Sequence, residues 1–181
     1  VTITIAGAND LPTIAGDTTG DATEDVTTAV TGTLTATDTD TSESSMTDKT
    51  STASTYGTYS MTDDAWTYSL DSTNAAVQAL ASGTSTTDTL SFTSTDGTVQ
   101  TVTITIAGAN DLPTIAGDTA GAATEDVLTA VTGALTATDT DTDESSMVDK
   151  TSTASTYGTY SMTSGAWTYS LDSTNAAVQA L

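Results

Sequence analysis

Residues 1–18 read VTITIAGANDLPTIAGDT, and residues 102–119 read the same. The identity continues, because residues 1–80 align without a gap onto residues 102–181 and only eight of the 80 pairs differ. A period of 101 residues is too long for one coil of a solenoid and fits one β-sandwich domain per repeat. The sequence therefore predicts tandem domains, one in each repeat.

Apolar and polar residues alternate in several short stretches, as they do in strands with one buried face. The composition, 36% hydrophobic and 5% aromatic, is also compatible with disorder, but a disordered chain has no reason to alternate. The pattern predicts an all-β fold with strands at residues 29–37, 57–61, 65–70, 87–94 and 98–107, and weaker extended segments near residues 13–15 and 56. A single helical turn is predicted within residues 72–80.

Both prolines, Pro12 and Pro113, follow Asn-Asp-Leu and mark repeat boundaries. We expect residues 1–10 to be the final strand of an upstream repeat plus a linker, residues 11–110 a complete β-sandwich repeat, and residues 111–181 a second repeat without its last strands. Both ends would then present unpaired strand edges. If these 181 residues are the whole chain, the second repeat is expected to be disordered at its end or completed by a strand from another copy, for which residues 1–5 are suited. If the chain is part of a longer array, the second repeat is expected to look native up to Leu181.

The chain carries 24 Asp and Glu against two Lys and Arg, a formal net charge of -22. Nucleic acid and anionic membrane surfaces are therefore poor partners, so no nucleic-acid partner is expected, and a compact fold is expected to need bound cations. No segment has the apolar length of a membrane span, so no membrane insertion is expected. Without histidine or cysteine, nucleophilic triads of the usual kinds cannot form, and we do not expect an enzyme. Paired carboxylates remain compatible with glycoside hydrolysis, but near-identical copies favour a spacer.

The stretch Thr-Asp38-Thr-Asp40 places two carboxylates two residues apart, and the second repeat has the same motif. Calcium takes six to eight oxygen ligands, and a turn would let both carboxylates reach one ion. The alternative is a solvated loop. Asp21, Asp63 and Asp64 are replaced by Ala, Ser and Gly in the second repeat, which favours surface charges over ligands at these three positions.

Trp66 and Tyr68 lie two residues apart on a predicted strand, so both rings face the same side. They are either an inter-sheet core anchor or a platform for stacking sugars. A sandwich with so few large residues needs them in its core, which favours the first interpretation.

The first repeat contains, in order, Asn-Asp-Leu-Pro (9–12), Thr-Glu-Asp (23–25), GTLTATDTD (32–40), Tyr-Gly-Thr-Tyr (56–59), WTYSLD (66–71), NAAVQAL (74–80) and Thr-Asp-Gly-Thr (95–98). This series closely resembles the VCBS repeat of large bacterial surface adhesins of the RTX type. The resemblance covers essentially the whole chain. It implies Ig-like or cadherin-like β-sandwich domains in an extended extracellular array on the bacterial surface.

The pattern is also similar to cadherin domains, which bind Ca²⁺ between successive repeats. The resemblance implies a junction site built from Glu24, Asp71, Asn110, Asp111, Asp139 and Asp141. It implies half-sites at the upstream junction, from Asn9, Asp10, Asp38 and Asp40, and at the downstream junction, from Glu125 and Asp172. No Arg-Glu follows Asp71 and the linker reads Gly-Ala-Asn-Asp, which are departures from the cadherin motifs.

We expect a structural extender, the stalk of a calcium-stiffened adhesin or filament that supports cell adhesion and biofilm formation, whose partners are the neighbouring repeats of the same chain. Any glycan or cell-surface ligand would bind through other regions. The alternative is a carbohydrate- or cell-binding module in which each repeat presents a ligand site and multiplicity supplies avidity.

Overall fold

The computed structural model describes residues 1–181. The chain is almost entirely β-structure, and it divides into two compact units, Val1–Asn110 and Asp111–Leu181. No helix in it has both the length and the hydropathy needed to cross a membrane.

The first unit contains eight strands and one helical turn. They are β1 (Thr13–Gly16), β2 (Thr19–Thr23), β3 (Val30–Thr37), β4 (Lys49–Ala53), β5 (Gly57–Thr62), β6 (Ala65–Leu70), α1 (Ala75–Gln78), β7 (Ser85–Thr93) and β8 (Val99–Ala107). One sheet is antiparallel with the order β1-β3-β6-β5-β4. The other has the order β2-β8-β7, in which β7 is antiparallel and β2 parallel to β8.

One hydrophobic core joins the two sheets of the first unit. Alternation along each strand places every second side chain inside. The antiparallel sheet contributes Leu34, Tyr59, Met61, Trp66 and Tyr68, and the three-stranded sheet contributes Leu90, Phe92, Val102, Ile104 and Ile106. The aromatic residues Trp66 and Tyr68 are 1% and 0% exposed. The prediction that they anchor the core is therefore confirmed for this unit.

Gly32 makes room for the central indole. A Cβ atom at Gly32 would lie 2.4 Å from Cζ2 of Trp66, closer than packed atoms approach. The indole N–H donates a hydrogen bond of 3.0 Å to the backbone oxygen of Asp17. The absence of a side chain at Gly32 therefore lets Trp66 lie flat against β3.

The predicted strands at residues 29–37, 57–61, 65–70, 87–94 and 98–107 correspond to β3, β5, β6, β7 and β8, and the weak segment at residues 13–15 is β1. The prediction of an extended segment near Tyr56 was wrong, because Tyr56 lies in a bend before β5. The helical turn is shorter than predicted: Asn74 caps it by accepting a hydrogen bond from the Ala76 N–H, and Val77 is its buried residue.

Strands β2 and β4 were not predicted, because neither alternates apolar and polar residues over enough length. Strand β4 is held by pairing with β5. The Lys49 ammonium at its start donates a hydrogen bond to the backbone oxygen of Ser91 and lies 5.0 Å from the centroid of the Tyr59 ring. Strand β2 is held by pairing with β8.

The second unit contains β9 (Thr114–Gly117), β10 (Val131–Thr138), β11 (Lys150–Ser155), β12 (Gly158–Thr163) and β13 (Ala166–Leu171). They form one antiparallel sheet with the order β11-β12-β13-β10-β9. This order reproduces the five-stranded sheet of the first unit, strand for strand. Residues 111–181 contain no counterpart of the three-stranded sheet.

Candidate metal centre

The acidic loop of the first unit follows β3 directly. Strand β3 ends at Thr37, and the Asp38 N–H then donates to Ser44 Oγ at 3.0 Å while Ser44 Oγ donates to the Asp38 carbonyl oxygen at 3.1 Å. Within the loop, the Asp40 N–H donates to Asp38 Oδ1 at 2.8 Å. Ser42 has a φ of 71°, which reverses the chain. These contacts fold residues 38–44 into a tight turn.

Three carboxylates converge inside this turn. One oxygen each from Asp38, Asp40 and Glu43 lies within 4.8 Å of the others. Asp38 Oδ2 and Glu43 Oε2 are buried and accept no hydrogen bond. Burial raises the pKa of Glu43, and the negative charges of Asp96, Asp40 and Asp38 raise it further. The loop therefore brings negative charges together and contains buried carboxylate oxygens that receive no hydrogen bond from the protein. A bound cation would stabilise such an arrangement.

The preceding linker is tied to the same loop. The Asp10 N–H donates a hydrogen bond of 2.7 Å to Asp40 Oδ2. Asn9 and Asp10 are themselves exposed, and the Asn9 side-chain amide donates to the backbone oxygen of Asp10 at 3.0 Å. Asp40 therefore fixes the linker backbone with one carboxylate oxygen and contributes to the acidic cluster.

The second unit repeats this geometry with its own residues. The Asp111 N–H donates to Asp141 Oδ2 at 2.9 Å, and the Asp141 N–H donates to Asp139 Oδ1 at 2.9 Å. Asp141 is only 2% exposed, yet its Oδ1 accepts no hydrogen bond, and neither does the buried Oδ2 of Asp139. Glu144, which corresponds to Glu43, lies exposed. Two aspartates rather than three carboxylates define this loop.

Glu24 is a buried carboxylate that contacts the chain segment directly after β8. It is 1% exposed, and its Oε2 accepts a hydrogen bond of 3.0 Å from the Ala109 N–H. Its own N–H donates to the Ala107 carbonyl oxygen at 2.9 Å. Glu24 therefore holds the chain just before the exposed Asn110. Its counterpart Glu125 is half-buried.

Asp71 has a local structural role. Its Oδ1 accepts hydrogen bonds from the Thr73 N–H at 2.9 Å and from Thr73 Oγ1 at 2.7 Å. These hydrogen bonds lower the pKa of Asp71. Asp172 and Thr174 repeat the arrangement with the same effect on the pKa of Asp172. Each carboxylate shapes the turn just before Asn74 or Asn175. Asn74 caps α1, whereas residues 176–180 form turns and no helix.

Sequence reasoning missed two acidic residues. Glu43 completes the cluster, and the spacing Asp-x-Asp-x-x-Glu was the available signal. Asp88 is 1% exposed and accepts hydrogen bonds from Ser54 Oγ at 2.7 Å and from Tyr68 Oη at 3.0 Å. Backbone N–H groups of residues 55, 56 and 89 also donate to it. Because hydrogen-bond donors of the protein surround Asp88, this residue stabilises the fold and is not a candidate metal ligand.

Of the three aspartates predicted to be surface charges, Asp21 and Asp63 are exposed. Asp64 is half-buried, and its Oδ1 accepts a hydrogen bond of 2.8 Å from the Met46 N–H. Asp63 and Asp64 have φ values of 48° and 65°, so they form the turn between β5 and β6. Ser164 and Gly165 make the same turn in the second unit with φ values of 49° and 83°.

A scan of protein-family models and a search of curated proteins both return no match to this chain.

Proposed function

We propose that this chain is a structural extender, part of a calcium-stiffened stalk built from Ig-like or cadherin-like repeats of the VCBS type on a bacterial cell surface. The observation that carries the proposal is the pair of acidic loops. In each unit an aspartate, Asp40 or Asp141, holds the N–H of the preceding linker and belongs to a loop with buried carboxylate oxygens that accept no hydrogen bond.

Calcium is the cation that suits these loops. The candidate ligands are carboxylate oxygens, and the chain has no histidine or cysteine. Such hard oxygen ligands favour Ca²⁺, which accepts irregular coordination geometry, whereas Mg²⁺ demands near-ideal octahedral geometry and loses its water reluctantly. The formal charge of -22 further favours cation uptake.

The stiffening follows from the contact between linker and loop. A hydrogen bond from the Asp10 or Asp111 N–H joins each linker to the carboxylate that would hold the ion. An ion that fixes this carboxylate also fixes the linker backbone and reduces its freedom to rotate. Extracellular location, where Ca²⁺ is abundant, accords with this role.

The alternative of a carbohydrate-binding module has less support. It relied on an aromatic platform, but Trp66 and Tyr68 are buried between the sheets of the complete unit. A glycan array probed with the chain tests it directly. An extender binds no glycan specifically, whereas selective binding would favour the module.

The calcium proposal is tested by calorimetric melting with Ca²⁺, Mg²⁺ or a chelator. We expect Ca²⁺ at about 100 times its dissociation constant to stabilise the folded chain by about 2.7 kcal/mol, and Mg²⁺ to stabilise it much less. The double variant Asp40→Asn, Asp141→Asn should lose this gain, because an amide keeps the hydrogen bond from the linker but loses the negative charge.

Asp21→Asn is the matched control, since Asp21 is exposed and Ala122 occupies its place in the second repeat. It should keep the calcium response. A melting temperature indifferent to the chelator, or an equal loss in the Asp21→Asn variant, would refute the calcium site. For the stalk itself, small-angle scattering should show a narrower range of maximum dimensions in Ca²⁺ than in chelator, and equal ranges would exclude stiffening.

A further inference from the structure

A serine closes the acidic loop of each unit. In the first unit Ser44 Oγ accepts a hydrogen bond of 3.0 Å from the Asp38 N–H and donates one of 3.1 Å to the Asp38 carbonyl oxygen. In the second unit Ser145 Oγ accepts one of 2.9 Å from the Asp139 N–H and donates one of 3.3 Å to the Asp139 carbonyl oxygen. One hydroxyl group thus satisfies both the N–H and the carbonyl oxygen of the first aspartate of the loop. We call this pair of hydrogen bonds the serine clasp.

The first aspartate needs such a partner because strand pairing ends just before it. The pairing of β1 with β3 ends at Thr13 and Thr37, and the residue before Thr13 is Pro12, which has no N–H to donate. Asp38 therefore has no partner in the neighbouring strand, and its backbone N–H and carbonyl oxygen need other partners. Pro113 precedes β9 in the second unit in the same way.

The carboxylate of the same aspartate is also held within the loop. Asp38 Oδ1 accepts a hydrogen bond of 2.8 Å from the Asp40 N–H, and Asp139 Oδ1 accepts one of 2.9 Å from the Asp141 N–H. The other oxygen, Oδ2, is buried and accepts no hydrogen bond in either unit. Backbone and side chain of the first aspartate are therefore both fixed, and one buried carboxylate oxygen is left for a ligand.

We propose that Ser44 and Ser145 are positioning residues for Ca²⁺, which close the acidic loops before the ion binds. This inference rests on the calcium site proposed above and adds the residues that shape it. The clasp forms in both loops although Ser42 of the first is replaced by Asp143 in the second. It therefore does not depend on the residue type at that position.

A preformed loop binds an ion more tightly than an open one. An open loop must be ordered when the ion binds, and the conformational entropy lost reduces the affinity. The clasp joins residues that are six positions apart in the sequence, so its two hydrogen bonds close the whole loop. Loss of both bonds should weaken Ca²⁺ binding by about five- to tenfold.

Isothermal titration calorimetry of the full chain with Ca²⁺ measures this effect. The double variant Ser44→Ala, Ser145→Ala should bind Ca²⁺ about five- to tenfold more weakly than the wild type. The variant Ser44→Thr, Ser145→Thr keeps the hydroxyl groups and should bind within about twofold of the wild type. The matched control is Thr39→Ala, Thr140→Ala, which removes an exposed hydroxyl group from each loop outside the clasp. It should change the affinity by less than about twofold.

Hydrogen exchange in chelator measures the clasp without the ion. The Asp38 and Asp139 amides, which donate to the serines, should be protected in the wild type and in the threonine variant. In the alanine variant they should exchange at least about tenfold faster, because they lose their acceptor.

The two measurements separate a failure of the clasp from a failure of the calcium site. If the alanine variant binds Ca²⁺ as tightly as the wild type, the serines do not position the site, although the site itself stands. The inference is also wrong if the wild-type amides exchange in chelator as fast as those of the alanine variant. Failure of the threonine variant to recover the affinity, or an equal loss in the Thr39→Ala, Thr140→Ala control, would likewise overturn it. A wild type that takes up no Ca²⁺ would refute the calcium site and the positioning role together.

Discussion

The two units have nearly the same sequence over their shared length but bury it differently. Trp66 is 1% exposed in the first unit, and its counterpart Trp167 is half-buried in the second. Residues 19–23 are a strand, whereas residues 120–124 are not. The five-stranded sheet, by contrast, is the same in both. The comparison shows that the five-stranded sheet has the same strand order in both units, whereas β2 pairs with β8, a strand with no counterpart in residues 111–181.

Substitution of the central tryptophan should give the largest difference between the units. Trp66→Ala removes a fully buried indole and should destabilise the first unit by about 3–5 kcal/mol. Trp167→Ala removes a half-buried one, and its effect should be below about 2 kcal/mol. Urea unfolding followed by hydrogen exchange in each unit measures both. Equal losses would mean that the second unit is as well packed as the first.

Acid should destabilise the first unit more than the second, by a smaller amount than the tryptophan substitution does. Burial opposes ionisation of Asp88, but hydrogen bonds from Ser54, Tyr56, Tyr68 and Thr55 outweigh it and lower its pKa. A carboxyl group whose folded pKa lies below the unfolded value stabilises the fold above the unfolded pKa. That stability is lost as pH falls through the folded pKa, here below about pH 4.

The first unit, which contains Asp88, should therefore lose this stability in acid. Asp88→Asn should destabilise that unit by about 1–3 kcal/mol at neutral pH and flatten its acid response. Thermal melts from pH 2 to pH 7, read by hydrogen exchange in each unit, test this. An unchanged acid response in the variant would assign the pH dependence to other carboxylates.

Removal of the asparagine side chain that accepts a local backbone hydrogen bond should have the smallest effect on stability, and the effect should be equal in the two units. The Asn74 side chain accepts a hydrogen bond from the Ala76 N–H at 2.9 Å, and Asn175 accepts one from Ala177 at 2.9 Å. Asn74→Ala and Asn175→Ala should each destabilise their unit by about 1 kcal/mol. Because this contact is local, the difference in burial between the two units should not affect it. Unequal losses in chemical denaturation would show that this difference extends to the turn.

Most strands could be predicted from the sequence, because the alternation of apolar and polar residues indicates which side chains face the core. Strand β2 was not, since the residues that create it lie about 80 positions away in β8. Asp88 was within reach of the same reasoning: it alternates with Leu90 and Phe92 and so had to face inward. Its five donors come from distant segments as well as from its neighbour, and no local pattern could reveal them.

The candidate metal site was predictable only in part. Asp38 and Asp40 share a motif, and the structure brings their carboxylates together. Glu43 joins them in the first unit only: Glu144 lies exposed in the second, although Ser42 and its counterpart Asp143 both have a positive φ. The hydrogen bonds from the linker N–H groups to Asp40 and Asp141 could not be predicted either, because every residue type except proline has a backbone N–H.

The parallel pairing of β2 with β8 determines how the first unit bears tension. Strand β2 lies near the start of this unit and β8 near its end, and both run in the same direction. A pull on the two chain ends therefore drags these strands past each other along their length. The pairs from Thr19–Thr103 to Thr23–Ala107 are loaded together in shear, rather than opened one at a time as in a peeled hairpin.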